Sequence, residues 1–315
     1  MSSRRRIFLL WWHAVVGFFA WGLSPLPSGI SAVRVSRGGQ SRAALQEVRA
    51  LVLKAFKAAR AANETLLEVE FPPLLGLKTD FVDVDNVQIL DANRDWAMET
   101  AAELVNDFGD TKSLWLAFPD RRELELAKKA WPGQAFKRAT MTTIEDAAAT
   151  LKGEESIEQP WGAQLSRLVA GEDVLGAKPE DLGLGIYPDL IVAVQPGDGG
   201  PLEDWLNLEL LGDRPLLVCN GAFDKLRGGY YPPFLFPKLA KCVDRFIANF
   251  ETLFYLKALN DKGRSGWIYR VYPENWQVIE QDRHGDDTLL FDSPTKPSYA
   301  DAVTALLGTR RKKKT

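Results

Sequence analysis

Apolar residues in "SRAALQEVRALVLKAFKAARAANE" recur at Leu45, Val48, Leu51, Val52, Ala55, Phe56 and Ala59. That three-and-four spacing is one face of an amphipathic helix. "TLLEVEFPPL" then predicts a strand from Leu66 to Phe71, closed by Pro72 and Pro73, which cannot continue a ladder. A second helical pattern fills "NRDWAMETAAELVNDFG" and stops at Gly109. "KSLWLAFPD" predicts a strand over Ser113–Phe118. "RRELELAKKAW" predicts a helix over Arg121–Trp131, stopped by Pro132, and "TTIEDAAATL" a further short helix. Residues 152–187 carry no clear period and read as a long, partly irregular connection.

The pattern returns in "YPDLIVAVQPGDGGPLEDWLNLELLGDRPLLVCNGAF" as strand, Gly-rich turn, helix, short turn and strand. A strand–helix–strand unit of this size pairs its strands in parallel. Continuous apolar runs such as "LIVAV" and "PLLVC" suit strands buried on both faces. "FPKLAKCVDRFIANF" is helical. "TLFYLKAL", "GWIYRVYP", "NWQVIEQ" and "TLLFDS" follow as short strands with turn-rich spacers, an antiparallel meander. "SYADAVTALLG" closes the chain as a helix with Ser298 at its N-cap. The expected fold is α/β: a largely parallel sheet flanked by helices, extended by a C-terminal antiparallel meander. No composition break divides it, so residues 43–309 are expected to form one domain.

The ends differ from the body. "RRRIFLLWWHAVVGFFAWGL" is a positive segment followed by an apolar stretch, Ile7 to Leu23, and "SPLPSGISA" offers small residues for cleavage. That is the layout of a secretory signal peptide. "AVRVSRGGQSRAALQ" then holds Arg34, Arg37 and Arg42 with no acid until Glu47, a transit-peptide composition. Residues 1–42 together read as a bipartite leader for a plastid reached through the secretory route. Residues 310–315 are a basic tail, "RRKKKT", able to touch an anionic membrane surface. The whole chain has 39 basic and 42 acidic residues, and residues 43–315 carry 33 against 42, a net of −9. An acidic body argues against nucleic acid as a partner.

Chemistry-bearing residues are few. There are two histidines, His13 in the leader and His284 in the polar turn "DRHGDD". Neither stands in a Cys/His cluster of the kind that holds zinc, and no metal is expected. Cys219 and Cys242 lie in apolar or helical surroundings and read as buried free thiols. "VQPGDGGPLEDW" sits between a strand and a helix, as a phosphate loop would. It lacks the Gly-Lys-Ser/Thr ending, and Asp198, Glu203 and Asp204 suit a self-capped helix with Pro201 at its first position. "GLGIYP" has Pro188 where a dinucleotide fingerprint needs its third glycine. No cofactor is expected.

Two groups remain as candidate sites. Parallel strands would bring Glu70, Asp120, Gln195 and Asn220 out at one carboxyl edge, where open α/β sheets bind ligands. Each could equally cap a local turn. The second group is the aromatic ribbon "WIYRVYPENWQVIEQ". Alternation turns Trp267, Tyr269 and Val271 one way and Ile268, Arg270 and Tyr272 the other. After the corner, Trp276, Val278 and Glu280 alternate with Gln277, Ile279 and Gln281. One face is expected to pack inward and the other, with Arg270, Tyr272 and Gln277, to form a recognition surface. An edge hairpin whose aromatics merely cover the sheet is the competing expectation.

"LLEVEFPPL", "FPDRRELELAKKAW", "RPLLVCN", "RFIANFETLFYLKAL" and "GWIYRVYPENWQVIEQ" occur in an order that resembles a plastid and cyanobacterial domain-of-unknown-function family. That family includes the chloroplast protein Low PSII Accumulation Three. The resemblance runs from about Ala43 to Leu307 and centres on Arg270, Tyr272, Pro273, Trp276, Gln277 and Val278. Where the family tends to have an Asn-Pro-Arg-like turn, this chain has Asn220-Gly221-Ala222. The resemblance implies a plastid accessory protein that binds photosystem II subunits or assembly factors, in the stroma or at the thylakoid surface, and the scarcity of histidine with no phosphate loop or metal cluster makes it an expected non-catalytic binder. The same domain also occurs fused to adenylate kinase, which keeps open a nucleotide- or small-molecule-binding enzyme working at the carboxyl edge.

Overall fold

The computed structural model describes residues 42–72, 86–108, 114–131, 139–152, 188–197, 202–282 and 286–308. Residues 1–41 of the leader, the basic tail, residues 153–187, His284 and residues 198–201 lie outside the described residues. The elements in chain order are α1 (Arg42–Ala61), β1 (Leu66–Glu70), α2 (Asn86–Phe108), β2 (Leu114–Phe118), α3 (Arg121–Ala130), β3 (Ala139–Thr143), α4 (Ile144–Leu151), β4 (Leu190–Val194) and α5 (Glu203–Leu211). They continue with β5 (Leu216–Cys219), α6 (Phe223–Arg227), α7 (Pro237–Arg245), β6 (Glu251–Asp261), β7 (Arg264–Val271), β8 (Trp276–Gln281), β9 (Asp287–Ser293) and α8 (Tyr299–Gly308).

The strands form one nine-stranded sheet in the order β3-β2-β4-β5-β1-β6-β7-β8-β9. Pairs from β3 through β6 are parallel, and those from β6 through β9 are antiparallel. The expected α/β architecture is therefore present. β4, α5 and β5 form the parallel unit, with Ile191 opposite Leu216 and Val194 opposite Cys219. All five residues of β2 and of β4 are buried. Leu114, Leu116, Phe118, Leu190, Val192 and Val194 enter the core under α1, α2 and α3. Trp115, Ala117, Ile191 and Ala193 enter the core under α4, α5, α6 and α7. A third core, with Tyr255, Ile268, Trp276 and Val278, is closed by Ala302 and Leu306 of α8. The Ser298 hydroxyl accepts from the Asp301 N–H at 3.1 Å, the N-cap the sequence indicates.

One expectation needs correction. Ala139–Thr143 is a strand, where a helix was expected to begin at Thr142. Its threonines are mostly half-buried, as on an edge strand, and Thr143 then caps α4 by accepting from Asp146 N–H at 3.0 Å. β6 is a strand of the meander as expected, pairing antiparallel with β7, and it also joins the meander to the parallel half by pairing with β1. α5 begins at Glu203 with Leu202 at its N-cap, and Pro201, expected at the start of this helix, lies outside the described residues.

Candidate functional site

Gln195 and Asn220 follow β4 and β5 directly, each with a left-handed backbone (φ 46° and 52°) that turns the chain off the sheet edge. Asn is among the few non-Gly residues that enter this region readily. Asn220 Oδ1 accepts the Phe71 N–H at 2.8 Å, which ties β5 to the end of β1. Its Nδ2 donates to Asn93 Oδ1 at 2.6 Å, and Asn93 Nδ2 donates to Gln195 Oε1. All three amides are buried. The carboxyl edge thus brings together two of its four candidates, joined through Asn93 of α2. Sequence reasoning missed Asn93 because a polar residue in a helix reads as solvent-facing.

The other two edge candidates lie elsewhere. Asp120 is exposed and caps α3, its carboxylate accepting from Glu123 N–H at 2.8 Å. Glu70 points to the opposite face of the sheet and accepts from Ala222 N–H at 3.2 Å. On that face β1 and β6 carry a polar cluster. The Glu68 carboxylate takes two bonds from Arg227 Nη1, at 2.8 and 2.9 Å, and one from the Thr252 hydroxyl. Arg227 Nη2 also donates to Ile247 O at 2.9 Å. Asp224 of α6 accepts from the Tyr255 hydroxyl, from Lys296 and from Lys257 Nζ at 3.3 Å. The Lys296 ammonium lies 3.9 Å from the Tyr255 ring centre and 4.9 Å from that of Trp276.

This arrangement drives two carboxyls apart. Burial, with the charges of Glu68 and Asp224, pushes Glu70 up to about 8. Burial also opposes ionisation of Asp224, but Lys296, Tyr255 and Lys257 outweigh it and hold that carboxyl down, at about 2. Glu70 is therefore neutral in the fold at pH 7, while an unfolded glutamate is ionised. Between about pH 5 and 8 the folded chain holds a proton that the unfolded chain has lost, so this group's contribution to stability falls as pH rises. Glu70→Gln keeps an acceptor for Ala222 N–H and removes that slope. We expect the variant to match the wild type near pH 5 and to exceed it by about 1–3 kcal/mol at pH 8, measured by urea unfolding. Parallel pH dependence in the two proteins would show that Glu70 is ionised in the fold.

The aromatic ribbon is largely interior. Register places Tyr269 opposite Gln277 and Ile268 opposite Val278. Gln277 therefore shares a face with Tyr269, and Tyr272 packs toward the same α1 core. Arg270 is on the other face, 5.3 Å from the Trp276 ring centre and paired with Glu251 at 2.7 Å. The grouping of Arg270, Tyr272 and Gln277 on one recognition face is thus corrected by the register across the corner. Trp276 and Gln277 are buried, and Pro273, in a cis peptide bond with Tyr272, is exposed at the corner.

The most exposed apolar side chains are elsewhere. Tyr230, Phe234 and Leu235 are 71%, 81% and 61% exposed. They stand in "GGYYPPFLFP", between α6 and α7, which has neither a helical nor an alternating pattern. The loop is nonetheless well built. Tyr231 packs edge-on against buried Trp205 at 5.5 Å and against Phe236 at 5.3 Å. The Leu235 and Phe236 N–H groups both donate to Pro232 O at 3.0 Å. The turn thus holds Phe234 and Leu235 outward. A signal was present in the sequence, as two Tyr, two Phe and a Leu in a Pro- and Gly-rich segment that no strand or helix could bury.

Both cysteines are buried free thiols, as their apolar surroundings suggested. Among the described residues no three His, Cys, Asp or Glu side chains gather in a metal-holding group, and no helix is long and apolar enough to cross a membrane. A family model, Domain of unknown function (DUF1995), matches residues 42–304, from α1 into α8. The chain belongs to the DUF1995 family. The match spans the parallel strands and the meander alike, so the DUF1995 unit is the whole nine-stranded sheet with its helices. No curated protein and no solved structure matches the chain.

Proposed function

We propose that this DUF1995 protein is a non-catalytic plastid accessory protein that assists assembly of photosystem II by binding at the thylakoid surface. The observation that carries the binding role is the exposed trio Tyr230, Phe234 and Leu235. Large apolar side chains left exposed together in one short loop mark an interaction site. The loop's internal hydrogen bonds support the same reading, since a pre-ordered surface loses less entropy on binding. The plastid setting and the photosystem II client rest on the leader and on the likeness to the family of Low PSII Accumulation Three. The test is a tagged pull-down from mildly solubilised plastid membranes, read by mass spectrometry. Enrichment of photosystem II core subunits or assembly factors is expected, and a partner set of soluble metabolic enzymes would refute the proposal.

A second reading is favoured by the polar cluster. Glu70, neutral beside an ionised Asp224 and Lys296, has the split protonation that acid–base sites use. On this reading the chain is a nucleotide- or small-molecule-binding enzyme. A ligand that binds only the native state raises its melting temperature. A clear rise with an adenine nucleotide, abolished in Glu70→Gln, would establish it. Unchanged melting across a nucleotide panel would remove its support.

A further inference from the structure

We propose that the loop bearing Tyr230, Phe234 and Leu235 seats itself in an anionic lipid surface, with Lys238 and Lys241 of α7 against the headgroups. The inference deepens the surface-binding reading above and names the chemistry that the exposed trio meets. Four observations point to lipid. The trio holds the highest exposures among the large apolar side chains described, at 61% to 81%. Lys238 and Lys241 follow immediately, one turn apart on the exposed side of α7, while Leu239 and Cys242 face the core. Between Asp224 and Asp244 the chain has no acid, and although Arg227 is taken up by Glu68, Lys238 and Lys241 stand exposed beside the loop in a chain whose residues 43–315 carry a net −9. Finally, the Pro232–Leu235 turn is held by its own hydrogen bonds and by the edge-on packing of Tyr231 against Trp205 and Phe236.

Aromatic and leucine side chains beside lysines fit the membrane boundary, where rings sit at headgroup depth and ammonium groups reach the phosphates. A protein-binding hot spot has a different composition. Lysine is depleted there, and the anchors sit centrally and fill pockets. In an acidic body, a local basic patch also orients the molecule, turning this loop toward an anionic bilayer and the rest away from it.

The test uses the full chain in every arm, so that the leader and the basic tail are common to the wild type and the variants. It is sedimented with vesicles of phosphatidylglycerol and phosphatidylcholine in equal parts, and with vesicles of phosphatidylcholine alone. We expect binding to the anionic vesicles that weakens with added salt, and much weaker binding to the neutral ones. Tyr230→Ser/Phe234→Ser/Leu235→Ser is expected to bind at least about tenfold more weakly. Lys238→Gln and Lys241→Gln are expected to lose about fivefold each. The substituted positions are exposed, and unchanged melting curves will confirm that the variants fold. Absence of wild-type binding, or equal binding by the folded triple variant, would overturn the proposal. Recovery of photosystem II subunits without vesicle binding would leave the accessory function standing and exclude the lipid contact. If the triple variant then lost those subunits, the loop would be meeting polypeptide. Vesicle binding without photosystem II subunits would do the reverse.

Discussion

Gly266→Ala is expected to unfold the meander. Gly266 lies in β7 opposite Glu280 of β8. A methyl group there would stand 2.1 Å from the Ile279 carbonyl oxygen and 3.1 Å from its carbon. These are backbone atoms of a paired strand, so they cannot swing aside as a flexible side chain would. Relief requires β7 and β8 to separate. That separation would strip Ile268 and Val278 from the core under α8 and Tyr269 and Ile279 from the core under α1. The expected cost is about 3–5 kcal/mol, above the usual overpacking loss because paired backbone rather than a side chain must move. Urea unfolding of the wild type and the variant measures it. A change within about 0.5 kcal/mol would show that the sheet opens at this point without loss of pairing.

Arg227→Met carries the second large effect. Glu68 lies in the middle of β1, with its side chain 5% exposed, and Arg227 is its cationic partner. Removing one partner of a buried pair leaves an uncompensated charge, at about 3–5 kcal/mol. The Arg227 side chain is 27% exposed, so water reaches its end of the pair and the expected loss is nearer about 2–3 kcal/mol. Glu68→Gln together with Arg227→Met should recover part of it, because the remaining amide is neutral and still accepts from Thr252. The difference between the double variant and the sum of the singles gives the coupling. Strict additivity would mean that the pair contributes nothing as a pair.

The parallel strands were legible because burial on both faces leaves a continuous apolar run, as in "LIVAV" and "LLVC". β3 was not, because "ATMTT" sits at the sheet edge and its threonines satisfy strand and helix cap alike. The sites were less legible than the fold. Alternation sorted β7 correctly, but the Tyr272–Asn275 corner offset the count, so Gln277 faces with Tyr269 rather than with Arg270. Glu70 and Asn220 end neighbouring strands, yet their side chains leave opposite faces of the sheet. That difference depends on where each strand stops, which composition does not reveal. Asp224 and Lys296 are 72 positions apart and meet only because α6 and the segment before α8 cover the same face.

We propose the exposed loop, rather than the polar cluster, as the working surface. The most direct test of this compares three full-length proteins: the wild type, Tyr230→Ser/Phe234→Ser/Leu235→Ser, and Glu70→Gln. Each is incubated with washed plastid membranes and lightly crosslinked, and the photosystem II core subunits recovered with it are counted. We expect Glu70→Gln to recover them as the wild type does, while the loop variant, no longer seated in the membrane, loses at least about tenfold. Loss in Glu70→Gln with full recovery by the loop variant would contradict it and move the function to the face where Glu70, Asp224 and Lys296 meet.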